Sequence, residues 1–184
     1  MAAIVGFATY PRPTWWYTPA TSAWSAPNKR PLISSTGFAI CPTVTCGNHD
    51  DCLYGAGIDG LDNNVHYLSN TGVEIDGIKF YGVPMFMRDC ITDRQTRNYA
   101  MIPSDTNVLI THSPAYGILD FDDDINYGSE EILAKLPELN LRAHLYGHIH
   151  AQHGIAVQNG IIYSNGAIMD AGYTELNRPN LILL

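Results

Sequence analysis

The chain changes character between Cys46 and Gly47, and that break limits what either side can fold into. Residues 1–46 contain no Asp, no Glu and no His, yet they hold all three tryptophans (Trp15, Trp16, Trp24) and six of the eleven prolines. Prolines spaced this way rule out a long helix between Pro11 and Pro31, because each removes a backbone donor and its ring clashes with the preceding turn. Only the run GFAICPTVTC at the end of this leader reads as a strand, and Pro42 interrupts it. Residues 47–184 carry all 18 acids and all seven histidines. The chain therefore divides into an atypical Pro/Trp-rich leader, 1–46, and a domain, 47–184, that holds every acid and histidine.

Past the break the pattern is regular. VEIDGIKFYGV is two β-rich runs joined at Asp76-Gly77, and GIAVQNGIIYS turns in the same way at Asn159-Gly160. TNVLITH is a buried-type strand ending at His112, RAHLYGHIH is a strand running into a loop, and LILL closes the chain as a strand. SEEILAKLPEL reads as a helix with Ser129 as N-cap and Glu130 and Glu131 at the positive end of its dipole. Strands outnumber helices and end in polar residues, which predicts an α/β sandwich with its site at strand ends.

The formal net charge is −8 with no concentration of Lys or Arg, which argues against a nucleic-acid duplex as partner. A phosphorylated small molecule stays open, because a cation can supply positive charge locally. No apolar run approaches the ~18 residues of a membrane span, and MAAIVGFATY has a short apolar patch without the basic n-region of a signal peptide. Cys41, Cys46, Cys52 and Cys90 are too few and too irregular for a disulfide framework, so they read as free thiols of a cytoplasmic protein.

Three short motifs hold the candidate chemistry. GHIH places His148 and His150 two residues apart, which in an extended segment projects both to one side. THSP puts His112 at the end of an apolar strand. GNHD offers an amide oxygen (Asn48), an imidazole (His49) and a carboxylate (Asp50) after Gly47, a glycine suited to a sharp turn. Each motif alone has a plain structural reading: two surface histidines, a polar strand terminus, a turn. DFDDDINYGSEE has Ile125 where a calcium loop needs glycine, so it reads as a solvated acidic loop, with Asp120 fixing the segment after His112. His66 and His144 read as structural, His153 as a candidate cleft residue, Asn165 as a brace for the site. Arg88, Arg94 and Arg97 read as a solvated face, with phosphate contact the alternative.

Taken in order, GNHD, THSPAYGILD and GHIHAQHG, with VEIDGIKFYGVP between the first two, resemble the calcineurin-like metallophosphoesterase family, in particular its small metallophosphodiesterase branch. The resemblance covers about residues 47–184 and implies a four-layer sandwich of two β-sheets flanked by helices. It implies divalent metal ions (Mn, Fe, Zn or Mg) and a small-molecule phosphoester substrate, with phosphodiesters as the class. By position, Asn48, His112 and His148 would ligate one ion and His150 the other. His49 would be the general acid, oriented by Asp50, and the hydrolysis an in-line attack by a metal-activated hydroxide.

The family pattern begins with an Asp-x-His and a bridging Gly-Asp, and neither stands before His49 in this chain. Two dications about 3.5 Å apart repel by roughly 19 kcal/mol at an effective dielectric of about 20. One amide and three imidazoles offset none of that, so one ion is reasonable and a stable pair needs carboxylates from elsewhere. A partner chain, recruitment of Asp51, Asp59 or Asp62, or first strands lost from an ancestral domain are the three sources. The break in composition favours the last, a domain incomplete at its N-terminus. The rival to an enzyme is an inactive remnant or binding protein that keeps the fold with one ion or none.

Overall fold

The computed structural model describes residues 2–5, 43–55 and 66–184. Cys41, Asp59, Asp62 and most of the leader lie outside the described residues. The strands in chain order are β1 (Ala2–Val5), β2 (Thr43–Val44), β3 (His66–Tyr67), β4 (Thr71–Ile75), β5 (Ile78–Val83), β6 (Val108–Thr111), β7 (Phe121–Asp122), β8 (Ile125–Asn126), β9 (Ala143–Tyr146), β10 (Gly154–Gln158), β11 (Ile161–Asn165) and β12 (Asn180–Leu183). The helices are α1 (Met87–Ile91), α2 (Arg94–Ala100) and α3 (Glu130–Lys135).

Six strands form the main sheet in the order β10-β11-β9-β6-β5-β4. The four inner strands, β11, β9, β6 and β5, run parallel, and an antiparallel hairpin partner flanks each edge. Parallel strands need both faces covered, and the side chains of β6 and β9 are buried throughout. Alternation sorts them: Tyr81, Val83, Leu109 and Tyr146 meet Tyr99 and Ile102 after β5, and Ile132 and Leu136 at α3. Ile78, Phe80, Val108, Ile110, Ala143 and Leu145 meet Leu68 and Ile182 on the opposite face. Ile182 belongs to β12, which pairs antiparallel with β1, so a short second sheet accompanies the main one on that side. This is the α/β architecture read from the sequence.

The local expectations hold for physical reasons. Both hairpins turn on two successive left-handed residues, Asp76 and Gly77 at φ 49 and 77, Asn159 and Gly160 at φ 52 and 77. Ser129 Oγ accepts the Ile132 N–H at 3.1 Å and caps α3, a bond worth about 1 kcal/mol. The helices α1 and α2 were not marked in the sequence. They break at Asp93, left-handed at φ 55, and are too short to show a full apolar period. No helix of the described residues is long and apolar enough to cross a membrane.

Candidate functional site

Because β6 and β9 are parallel neighbours, their C-terminal ends deliver His112 and His148 to the same edge of the sheet. The Gly147 N–H donates to His112 O (3.2 Å) and ties the two exits together. The loop after β2 brings Asn48 to the same place. His112 Nε2 lies 2.8 Å from Asn48 Oδ1 and 3.1 Å from His148 Nδ1, and the two imidazoles tilt at 58° with centroids 4.8 Å apart. Three donors that are 36 and 64 positions apart in sequence thus meet at one point.

Gly47 makes the approach possible. A Cβ there would stand 2.5 Å from His112 Cε1 and Nδ1. Its φ is not among the positive ones; the expected turn does follow it, and what the glycine itself supplies is close packing of the ring. Asp50 closes the turn that carries Asn48 and His49: the Gly47 N–H donates to Asp50 Oδ2 (2.8 Å) and the Asp50 N–H to Gly47 O (3.0 Å). Asp50 is buried, while His49 at the tip is exposed. Asp51 is occupied elsewhere, its Oδ1 accepting the Met87 N–H at 3.0 Å.

The GHIH segment departs from the extended alternation read in the sequence. Strand β9 ends at Tyr146, His148 is left-handed at φ 70, and His150 opens a short 3-10 turn, His150–Gln152. A non-glycine residue held there costs about 1–3 kcal/mol, a strain that concentrates at functional positions. His150 is buried with its ring against Tyr173, centroids 4.5 Å apart at 38°. It is close enough to His112 and His148 to bias their charge, as is His49. Burial first, then these neighbouring rings, hold the proton affinities of His112 and His148 below the usual imidazole range. Burial also lowers that of His150, opposed by backbone hydrogen bonds at Asp170 and Met169. A neutral imidazole keeps a lone pair available, which is the form a metal requires.

The surroundings brace this edge. Asn165, fully buried, donates from Nδ2 to Ile149 O (2.7 Å) and Leu119 O (3.2 Å) and so joins the loops that follow β9 and β6. Asp120 Oδ2 accepts the N–H groups of Gly117 and Gly128, both at 2.9 Å, fixing the loop after His112. His144 is buried in the sheet with its Nε2 2.8 Å from the Thr111 hydroxyl. Tyr54 takes up two of the arginines: Arg94 Nη1 donates to its hydroxyl (2.8 Å) and the Arg88 guanidinium lies over its ring. The contribution of Tyr173 was missed, since nothing in AGYTELN marks it.

Ligands at right angles on an ion with bonds of about 2.0–2.2 Å are separated by about 2.8–3.1 Å, and the two measured separations, 2.8 and 3.1 Å, match. The residues gathered at these separations are one amide, Asn48, and two imidazoles, His112 and His148. Among the described residues no group of three or more His, Cys, Asp or Glu side chains is gathered to hold a metal ion.

The chain is 34% identical to UPF0046 protein K07C11.7 of Caenorhabditis elegans, over 59% of this chain and 41% of that protein. It is 28% identical to UPF0046 protein C25E10.12 of the same organism, over 60% and 43%. With metallophosphoesterase domain-containing protein 1 of Homo sapiens the identity is 25%, over 68% of this chain and 41% of that protein. The chain thus spans about two fifths of the length of these curated relatives. No family model matches it. A solved crystal structure superposes with a TM-score of 0.52 at 15% identity, over 78% of this chain and 66% of the other, a likeness of fold alone.

Proposed function

We propose that this chain is a metal-dependent phosphoester hydrolase, with phosphodiesters as its substrate class. The observation that carries the reading is the meeting of Asn48 Oδ1, His112 Nε2 and His148 Nδ1 at cis-ligand separations beside an exposed histidine. The similarity to a metallophosphoesterase domain protein supports the same reading. Asn48, His112 and His148 would hold one divalent cation, and His150 would offer a ligand to another if carboxylates arrive from outside the described residues. The cation, when bound, supplies Lewis-acid polarisation of a phosphoryl oxygen. His49 would protonate the leaving oxygen at the solvent side of the cluster. Asp50 keeps that histidine in place through the turn it closes on Gly47. The thiols of Cys46, Cys52 and Cys90 are free, which fits a reducing compartment such as the cytoplasm.

A second reading, a binding protein or inactive remnant of the fold, is favoured by one observation: among the described residues no group of three or more His, Cys, Asp or Glu side chains is gathered to hold a metal ion. Metal content by mass spectrometry, together with turnover of bis-p-nitrophenyl phosphate, separates the two. Turnover that depends on added Mn, Fe or Zn supports the hydrolase. One equivalent of cation or none, without turnover, supports the remnant and overturns the hydrolase.

A further inference from the structure

Tyr173 stands against the site, and the hydrolytic reading makes no use of it. Its loop, residues 166–177, is fastened by side chains. Asp170 accepts hydrogen bonds from the Thr174 N–H (2.6 Å), the Glu175 N–H (3.0 Å) and the Thr174 hydroxyl (3.0 Å). Asn177 Nδ2 donates to the carbonyls of Ala167 (2.9 Å) and Met169 (3.0 Å), and the Tyr173 N–H donates to Asp170 O (3.0 Å). Those bonds hold Tyr173 at φ 55, a left-handed backbone that a bulky side chain rarely adopts. A loop that needed only to turn would put glycine or asparagine there. The tyrosine ring lies on His150 yet the residue stays 47% exposed. A partly exposed aromatic ring therefore lies against His150, two residues along the chain from His148.

We propose that Tyr173 is the wall of an aromatic subsite, on which a planar substituent of a phosphate ester stacks while its phosphate meets Asn48, His112 and His148. The ligand class is an aryl or heteroaryl phosphate ester, and the proposal rests on the phosphoester reading of the site. Stacking of a planar ring on a tyrosine strengthens binding by about tenfold, and it does so without regard to hydrogen-bonding pattern.

The test is equilibrium binding of phenyl phosphate and methyl phosphate, by calorimetry with manganese present. The parent chain is expected to hold phenyl phosphate about tenfold more tightly. Tyr173→Phe keeps that preference. Tyr173→Gly, which the left-handed backbone accommodates, loses it while binding methyl phosphate as the parent does. A parent with no preference for phenyl phosphate overturns the subsite. So does a Tyr173→Gly chain that keeps the preference, or one that weakens both ligands alike, since a ring that only covers His150 would behave so. Binding is read without turnover: an inactive chain that still prefers phenyl phosphate retains the subsite while the hydrolase reading fails.

Discussion

Alanine in place of Gly47 puts a methyl group where the His112 ring lies. The added Cβ would stand 2.5 Å from Cε1 and Nδ1 and 2.9 Å from Nε2, against an ordinary contact of about 3.5 Å or more. The imidazole must therefore retreat by about 1 Å. It has little room, being 3% exposed and held between Asn48 and His148. Overpacking of this kind destabilises by about 1–3 kcal/mol, which lowers Tm by roughly 2–12 °C for a chain of this length. Displacing one of three donors by that amount weakens cation binding by about 10- to 100-fold, the scale seen when the support of a metal ligand is disturbed. Thermal melting followed by circular dichroism and manganese titration by calorimetry measure the two effects. Gly172→Ala is the control, since its nearest neighbour would lie at 3.4 Å and both quantities should stay at the parent values. A Gly47→Ala chain with unchanged Tm and unchanged manganese affinity would refute the packing argument.

Further outcomes follow from the same geometry. His49→Gln should lower turnover of bis-p-nitrophenyl phosphate by about a hundredfold or more and leave cation content intact; an unchanged rate would remove the general-acid role. His144 is buried, and burial pushes its pKa down to about 3 from 6.5. The folded value is the lower one, so the stability associated with the neutral ring is complete above pH 6.5. It is lost as pH falls from there toward 3, by about 1.4 kcal/mol per unit for this group. Urea midpoints at pH 7 and pH 5 should differ less in His144→Gln than in the parent, and equal differences would refute the assignment. Manganese affinity should rise when inorganic phosphate is added, and superimposable titrations with and without phosphate would contradict the charge argument made for the site.

What could be read from the residues was whatever local chemistry decides. Asp76-Gly77 and Asn159-Gly160 announce their hairpins because two consecutive left-handed residues are nearly a property of the dipeptide. Ser129 announces α3 because its hydroxyl satisfies a backbone donor inside its own turn. His112 and His148 could be paired only through a resemblance, because strand order β6-β9 is a long-range fact that periodicity does not carry. The conformation of GHIH was misread for a related reason. Alternation assumes that the strand continues, whereas β9 stops at Tyr146 and His148 turns left-handed. Gly47 and Tyr173 illustrate the remaining gap. A glycine kept for a ring that arrives 65 positions later, and a tyrosine tilted against a histidine 23 positions earlier, leave no trace in their own neighbourhoods.

The neutrality of the gathered donors determines how such a site fills. Asn48 contributes an amide, and burial favours the neutral form of His112 and His148, so on the proposed reading a dication held by these three side chains would meet dipoles and no charged ligand. A charge compensated only by dipoles beside buried rings is costly, and the affinity of such a cluster for a cation alone would accordingly be modest. A phosphate group relieves that cost because it brings the missing negative charge with it. Linkage makes the relief mutual: the factor by which the cation strengthens phosphate binding equals the factor by which phosphate strengthens cation binding. Neutral donors leave the charge of the cation undiminished toward the ligand, where carboxylates would have offset part of it beforehand. On the proposed reading, the lack of a carboxylate among Asn48, His112 and His148 would thus weaken retention of the ion and increase its pull on an anionic substrate, and both effects would follow from the same three side chains.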